Sequence, residues 1–192
     1  MAFTTRLILI FVTILSAQLG FAASNVQFKY RENVIINAPP AQQERIIGLL
    51  KTAEASLVGR SLLAQIYSSS HILTIEHSEY AVNSAGKTLL SLSRNLDNGV
   101  GVDALLKMNF DLPDTGSHEV YECNGGRTAF TAAMNFIHEL RHARDGMTGQ
   151  FIGHLFEKHA VESENLYRQE LSISDRRCLR DDEDHAWQIW FP

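Results

Sequence analysis

Residues 136–146 read FIHELRHARDG and contain H-E-x-x-H. No other stretch restricts the chain as much. Positions i and i+4 lie about 400° apart around an α-helix, so His138 and His142 leave almost the same face. Two imidazoles placed this way can reach one tetrahedral metal at about 2.0–2.1 Å. Glu139 is turned one step round, beside the metal rather than on it, where it can take a proton from an attacking water and later return it. The competing reading is a solvent-facing helix on which His138, Glu139 and His142 are ordinary surface groups, since three fixed residues also occur by accident. Arg141 favours that reading, because a metal-bearing helix of this kind usually carries an uncharged residue there.

A catalytic zinc takes three protein ligands and keeps one position open. The extended pattern with a third histidine is absent, because Asp145 and Thr148 occupy its two diagnostic places. The better source is the acidic stretch HLFEKHAVESENLYRQEL, residues 154–171. Glu157 and Glu164 share one helical face but stand roughly 10 Å apart along the axis, so they cannot both hold one metal. Glu162 is turned well away from Glu157. One of the three ligates, and the other two face solvent or pair with arginine.

The chain has 192 residues, 45% hydrophobic and 20% charged, which suits one domain with a normal packed core. A formal net charge of -5 and the lack of a basic stripe with interleaved aromatics argue against nucleic acid as a partner. The amino terminus reads as a signal peptide: MAFTTR, then the apolar LILIFVTIL, then SAQLGFAA ending in small residues. Cleavage is expected after Ala22, with Ala23 as second choice. That gives a signal peptide over 1–22, a domain over 23–192, and a secreted or periplasmic protein with no membrane partner after cleavage. The alternative is an uncleaved anchor, for which the apolar run is short. Cys123 and Cys178 are the only cysteines. In an exported chain they permit a disulfide, the alternative being two unpaired thiols.

Residues 24–38 suit one or two short strands, closed by Pro39 and Pro40. A helix follows from about Gln42, with Gly59 expected to break it before SLLAQIY continues as a second. HILTIEHS (71–78), TLLSLSR and ALLKMNFDL (104–112) read as strands, and DTGSHEVYECNGGR as a loop. The periodicity predicts a helix from about Thr128 to Asp145, stopped at Gly146, and a last one from about His154 to Leu171.

Four stretches carry a family resemblance: VGRSLLAQI with HILTI, KMNFD, FIHELRHARDGMTG, and EKHAVESENLYRQEL. Together they resemble the NleD-like zinc metallopeptidases, a group that includes effectors which bacterial pathogens deliver into host cells. The likeness runs from about Leu57 to Arg177. It implies a zinc cofactor, His138 and His142 as ligands, Glu139 as general base, and Glu157 as third ligand with Glu164 and then Glu162 behind it. It also matches Asn165 and Arg168 to the family's E-N-x-x-R. Arg168 would orient a ligand carboxylate or steady an oxyanion, the alternative being a surface ion pair with Glu164. Tyr167 would donate to an oxyanion or simply pack. The signal peptide and the tail after Arg177 depart from the family pattern.

These readings converge on an α+β, zincin-like single domain with a short sheet, a catalytic H-E-x-x-H helix and a second helix supplying a carboxylate ligand. The expected activity is endopeptidase cleavage of a polypeptide, and the resemblance points to a host protein, with delivery to a host cell. The alternatives are an exported binding module without catalysis and a zinc amidase acting on cell-wall peptide.

Overall fold

Alternating apolar side chains build the sheet at the centre of the computed structural model, which describes residues 25–78, 86–91, 93–110, 118–123, 125–173, 177 and 178. The expected signal peptide over 1–22 and the stretch 179–192 lie outside these residues. Strands β1 (Val26–Arg31), β2 (Val34–Ala38), β3 (Leu73–His77), β4 (Gly86–Leu90) and β5 (Ala104–Met108) stand in the order β1-β2-β3-β5-β4. β2, β3 and β5 run parallel, and β1 and β4 pair antiparallel at the two ends. Val34, Ile36, Leu73, Ile75, Leu106 and Met108 occupy alternate positions and are all buried, so one face of the sheet is the core.

Helices α1 (Pro40–Ala55), α2 (Leu57–Ser68) and α3 (Ala132–Met147) cover that face. They contribute Ile46, Leu50, Leu63, Ile66, Phe136, Ile137 and Leu140 to the same cluster. Helix α4 (Phe156–Glu170) follows a 3-10 turn at Gly153–Leu155 and packs against α3. The fold is therefore mixed α+β, with the two helices that carry the candidate site last among the described elements. Among the described residues no helix is long and apolar enough to cross a membrane.

Three expectations are corrected. The break between α1 and α2 falls at Ser56, not Gly59. Ser56 is extended (φ -80°, ψ 154°), and its hydroxyl accepts from Gly59 N–H at 2.9 Å, capping α2. Gly59 lies inside α2, where a Cβ would stand 2.4 Å from the Ala53 carbonyl oxygen, so it serves close approach rather than a stop. Secondly, the segment read as a loop contains β6 (His118–Tyr121), which pairs antiparallel with β7 (Arg127–Phe130). Thr128 to Phe130 therefore extend a strand instead of opening α3. The helix begins after Thr131, whose hydroxyl accepts from Met134 N–H at 3.2 Å. Thirdly, α3 passes through Gly146, which faces the Leu90 side chain, and the chain turns at Gly149 with φ 65°.

Cys123 and Cys178 form a disulfide with Cα atoms 4.8 Å apart. Beside it, Glu122 and Arg177 form an isolated antiparallel bridge. The β6–β7 hairpin and the segment at Arg177 are thus joined covalently and through the backbone.

Candidate metal centre

Helix α3 is not a surface helix. From Met134 to Met147 every residue except Arg141 is buried, because α3 meets α2, α4, β4 and β5 at once. His138 and His142 are buried with it, and their rings stand nearly perpendicular, 4.8 Å apart between centroids. Their Nε2 atoms converge to 3.1 Å. Glu157, in the first turn of α4, completes a triangle. One of its oxygens lies 3.3 Å from His138 Nε2 and the other 3.2 Å from His142 Nε2.

A tetrahedral metal with ligands at about 2.0–2.1 Å has edges of about 3.3 Å between its donor atoms. The 3.1 Å between the two nitrogens is close to that figure, the Glu157 carboxylate faces each nitrogen with a different oxygen, and His138, His142 and Glu157 form a group able to hold a metal ion. Two imidazoles and one carboxylate are donors that suit zinc. Phe156 stacks on the His142 ring at 3.7 Å, and Phe130 meets the His138 ring edge-on at 6.5 Å, so aromatic walls set both ring planes. The His142 Nδ1 atom is buried without a hydrogen-bond partner, which leaves the Phe156 stack to hold that ring.

The electrostatics agree with the geometry. Burial pulls the His138 imidazolium down, but hydrogen bonds to Glu157 and Glu164 outweigh it and lift its pKa to about 9. Burial would raise Glu157, yet His138 and His142 hold its carboxyl well below the usual range. Without a metal, the triangle is thus an imidazolium–carboxylate pair poised to exchange its proton for a cation.

Glu139 is buried beside the triangle, and its Oε2 accepts from the Thr88 hydroxyl of β4 at 2.7 Å. The strand next to α3 therefore orients the carboxylate expected to act as base. Glu164 is fully buried on the other side of His138 and does not join the triangle. It accepts from Arg168 Nε at 2.9 Å and from Arg177 at 3.1 Å, with one oxygen 3.8 Å from His138 Nδ1. Glu162 is exposed.

Arg168, the residue matched to E-N-x-x-R, is turned toward Glu164 and strand β7. It too is fully buried, and its nitrogens donate to Glu164, to the Thr128 hydroxyl at 3.3 Å and to the Ala129 carbonyl at 2.8 Å. These bonds hold Glu164's buried carboxylate and tie α4 to strand β7. Tyr167 is likewise buried in the core cluster and packs. Asn165 brackets Arg177, accepting from its N–H and donating to its carbonyl, both at 2.9 Å.

Arg141, the residue that favoured a surface helix, has a structural explanation. Its Nε donates to the buried carboxylate of Asp145, and its NH1 donates to Ser163 of α4 at 3.1 Å. The charge sits on the seam between α3 and α4. Sequence reasoning missed Thr88 and Arg177, whose contacts cross 51 residues to Glu139 and 39 residues to His138. Only the cysteine next to Arg177 hinted that this segment is tied down.

Fold and site thus define an α+β protein with a His-His-Glu group, its histidines buried, able to hold a metal ion. No protein-family model matches the sequence, and no curated protein matches it either. Among solved structures the chain is similar to one titled "Structure of Botulinum Neurotoxin Serotype HA Light Chain", with 14% identity and a TM-score of 0.43 over 66% of this chain. The match spans 47% of that chain, about half its length.

Proposed function

We propose that this protein is an exported zinc-dependent endopeptidase of the zincin kind, akin to the NleD-like metallopeptidases, acting on a polypeptide that is a host protein. The observation that carries the reading is the convergence of His138 Nε2 and His142 Nε2, 3.1 Å apart, on the Glu157 carboxylate, whose two oxygens lie 3.3 and 3.2 Å from them. His138, His142 and Glu157 would hold the ion. Zinc bound there would act as a Lewis acid that makes water a nucleophile near neutral pH and polarises a scissile carbonyl.

The remaining work falls to the chain itself. Glu139 takes the proton of the attacking water and returns it to the leaving amine. The Thr88 hydroxyl occupies Oε2, which leaves Oε1 as the basic atom. Burial of Glu139 and both histidines excludes bulk water and strengthens every charge interaction at the site. Glu157, whose side chain is 28% exposed, marks the side open to substrate.

Metal analysis of the mature protein beside Glu139→Gln and His142→Ala, with cleavage of an unstructured polypeptide as second readout, tests the proposal. About one zinc per chain is expected in the wild type and in Glu139→Gln, cleavage in the wild type alone, and no zinc in His142→Ala. A correctly folded wild type that takes up no zinc would overturn it.

A further inference from the structure

We infer that Arg177 is a positioning residue of the metal centre and that the Cys123–Cys178 disulfide holds it there, which makes zinc affinity sensitive to thiol reduction. The inference rests on the zinc reading above. Arg177 reaches the centre from outside both helices that supply the ligands. Its NH1 donates to Glu164 Oε2 at 3.1 Å and lies 3.4 Å from His138 Nδ1. Its guanidinium also lies over the Phe130 ring at 5.3 Å, the same ring that meets His138 edge-on.

Glu164 has no solvent contact, and Arg168 holds its other oxygen. Arg177 therefore decides where Oε2 points, and Oε2 is the carboxylate atom facing His138 Nδ1 at 3.8 Å. The guanidinium and the Glu164 carboxylate together stand against His138 Nδ1 and fix the position of the ring, whose Nε2 faces His142 and Glu157. A carboxylate released from Arg177 no longer holds the ring in that place.

The backbone of Arg177 is tied by Asn165, by the bridge to Glu122 and, one residue on, by Cys178 to Cys123. Only the last tie is covalent. It anchors the segment to the turn of the β6–β7 hairpin, whose strand β7 Arg168 pins to α4. Opening it removes the covalent tie and leaves the Arg177 backbone to its hydrogen bonds with Asn165 and the bridge to Glu122.

The test is zinc affinity by chelator competition on the full mature chain, comparing the oxidised wild type, Arg177→Ala, Arg177→Lys, Cys123→Ser/Cys178→Ser and the triple variant, with unfolding of each metal-free form in parallel. Arg177→Ala should weaken zinc about tenfold or more, within the range for groups that orient a ligand, and Arg177→Lys should restore part of it. The cysteine pair variant should weaken zinc in the same direction, as should reducing the folded wild type, which covers the case in which the variant fails to fold. The triple variant should bind zinc no worse than Arg177→Ala alone. A merely structural disulfide would give losses that add, and that result, or unchanged affinity in Arg177→Ala, overturns the inference. A wild type without zinc instead defeats the zinc reading, and this inference goes with it.

Discussion

Arg141 Nε donates to both carboxylate oxygens of Asp145, at 2.9 and 3.0 Å, and the same carboxylate has Arg144 Nε at 3.0 Å. A buried acid on the metal-bearing helix is therefore compensated from its own helix, and Arg141 carries the pairing across to Ser163 of α4. Arg141→Ala should cost about 1–3 kcal/mol of stability by urea unfolding, since it leaves Asp145 with fewer partners. Asp145→Ala should cost more, about 3–5 kcal/mol, because it removes the carboxylate that both guanidinium groups pair with. Zinc content of the folded protein should not change in either variant.

Thr88→Val keeps the shape of the side chain and removes the donor to Glu139 Oε2. Peptide cleavage should fall about tenfold with zinc content intact, as for loss of an orienting group. The fall should be smaller than that of Glu139→Gln, which removes the base itself and should cost about 10²–10⁴-fold. Steady-state cleavage rates beside metal analysis check the ordering.

Two glycines in neighbouring helices should respond in opposite ways to alanine. Gly48 is exposed in α1 with nothing within 4 Å of an added Cβ, so Gly48→Ala should gain about 0.5–1 kcal/mol from helix propensity. Gly59→Ala would meet backbone at Ala53, 2.4 Å from its oxygen and 2.7 Å from its Cα, and should lose about 1–3 kcal/mol. Thermal unfolding of the two variants decides it.

Metal-free protein should show a pH dependence set by the triangle. His138 has its pKa raised from 6.5 to about 9, so its contribution to stability is full below pH 6.5 and is lost as pH rises through about 9. Glu157 works in the opposite sense. Its pKa lies below the ordinary 4.5, so its contribution is present above that pH and is lost in stronger acid. Thermal unfolding in chelator should therefore peak between these limits and decline toward pH 9. Because zinc needs the Nε2 lone pair of His138, its uptake at pH 7 should release about one proton, and affinity should strengthen with pH up to about 9. Proton release in weakly buffered titrations measures this.

What could be read beforehand depended on how far apart the partners lie in the chain. His138 and His142 were legible because one helical turn separates them, and the alternation in HILTIEHS and ALLKMNFDL marked β3 and β5 because their inward residues repeat every second place. Glu157 was one of three acids until the family likeness ranked them. In the structure Glu164 turns to Arg168 and Arg177, while Glu157 meets both imidazoles. β6 was read as a loop, and Thr128 to Phe130 of β7 as the start of α3, because each strand is four residues long, too short for alternation to show. Gly59 was read by its propensity alone, whereas its place is fixed by the Ala53 backbone across the turn. Thr88 and Arg177 act through residues on other elements, and no local pattern announces such a contact.

One further tie bears on how little of this chain can stand alone. Glu170, the last residue of α4, accepts from the backbone N–H groups of Leu57 and Val58, each at 2.7 Å, and so completes the first turn of α2. The bonds join positions more than a hundred residues apart. A piece cut to keep only the H-E-x-x-H helix and its acidic partner would leave that carboxylate without its amides, and a piece ending before Glu170 would uncap α2. The helix that carries Glu157 is thus fastened at its far end to the first turn of α2, and a helical hairpin cut from the chain would lose that fastening.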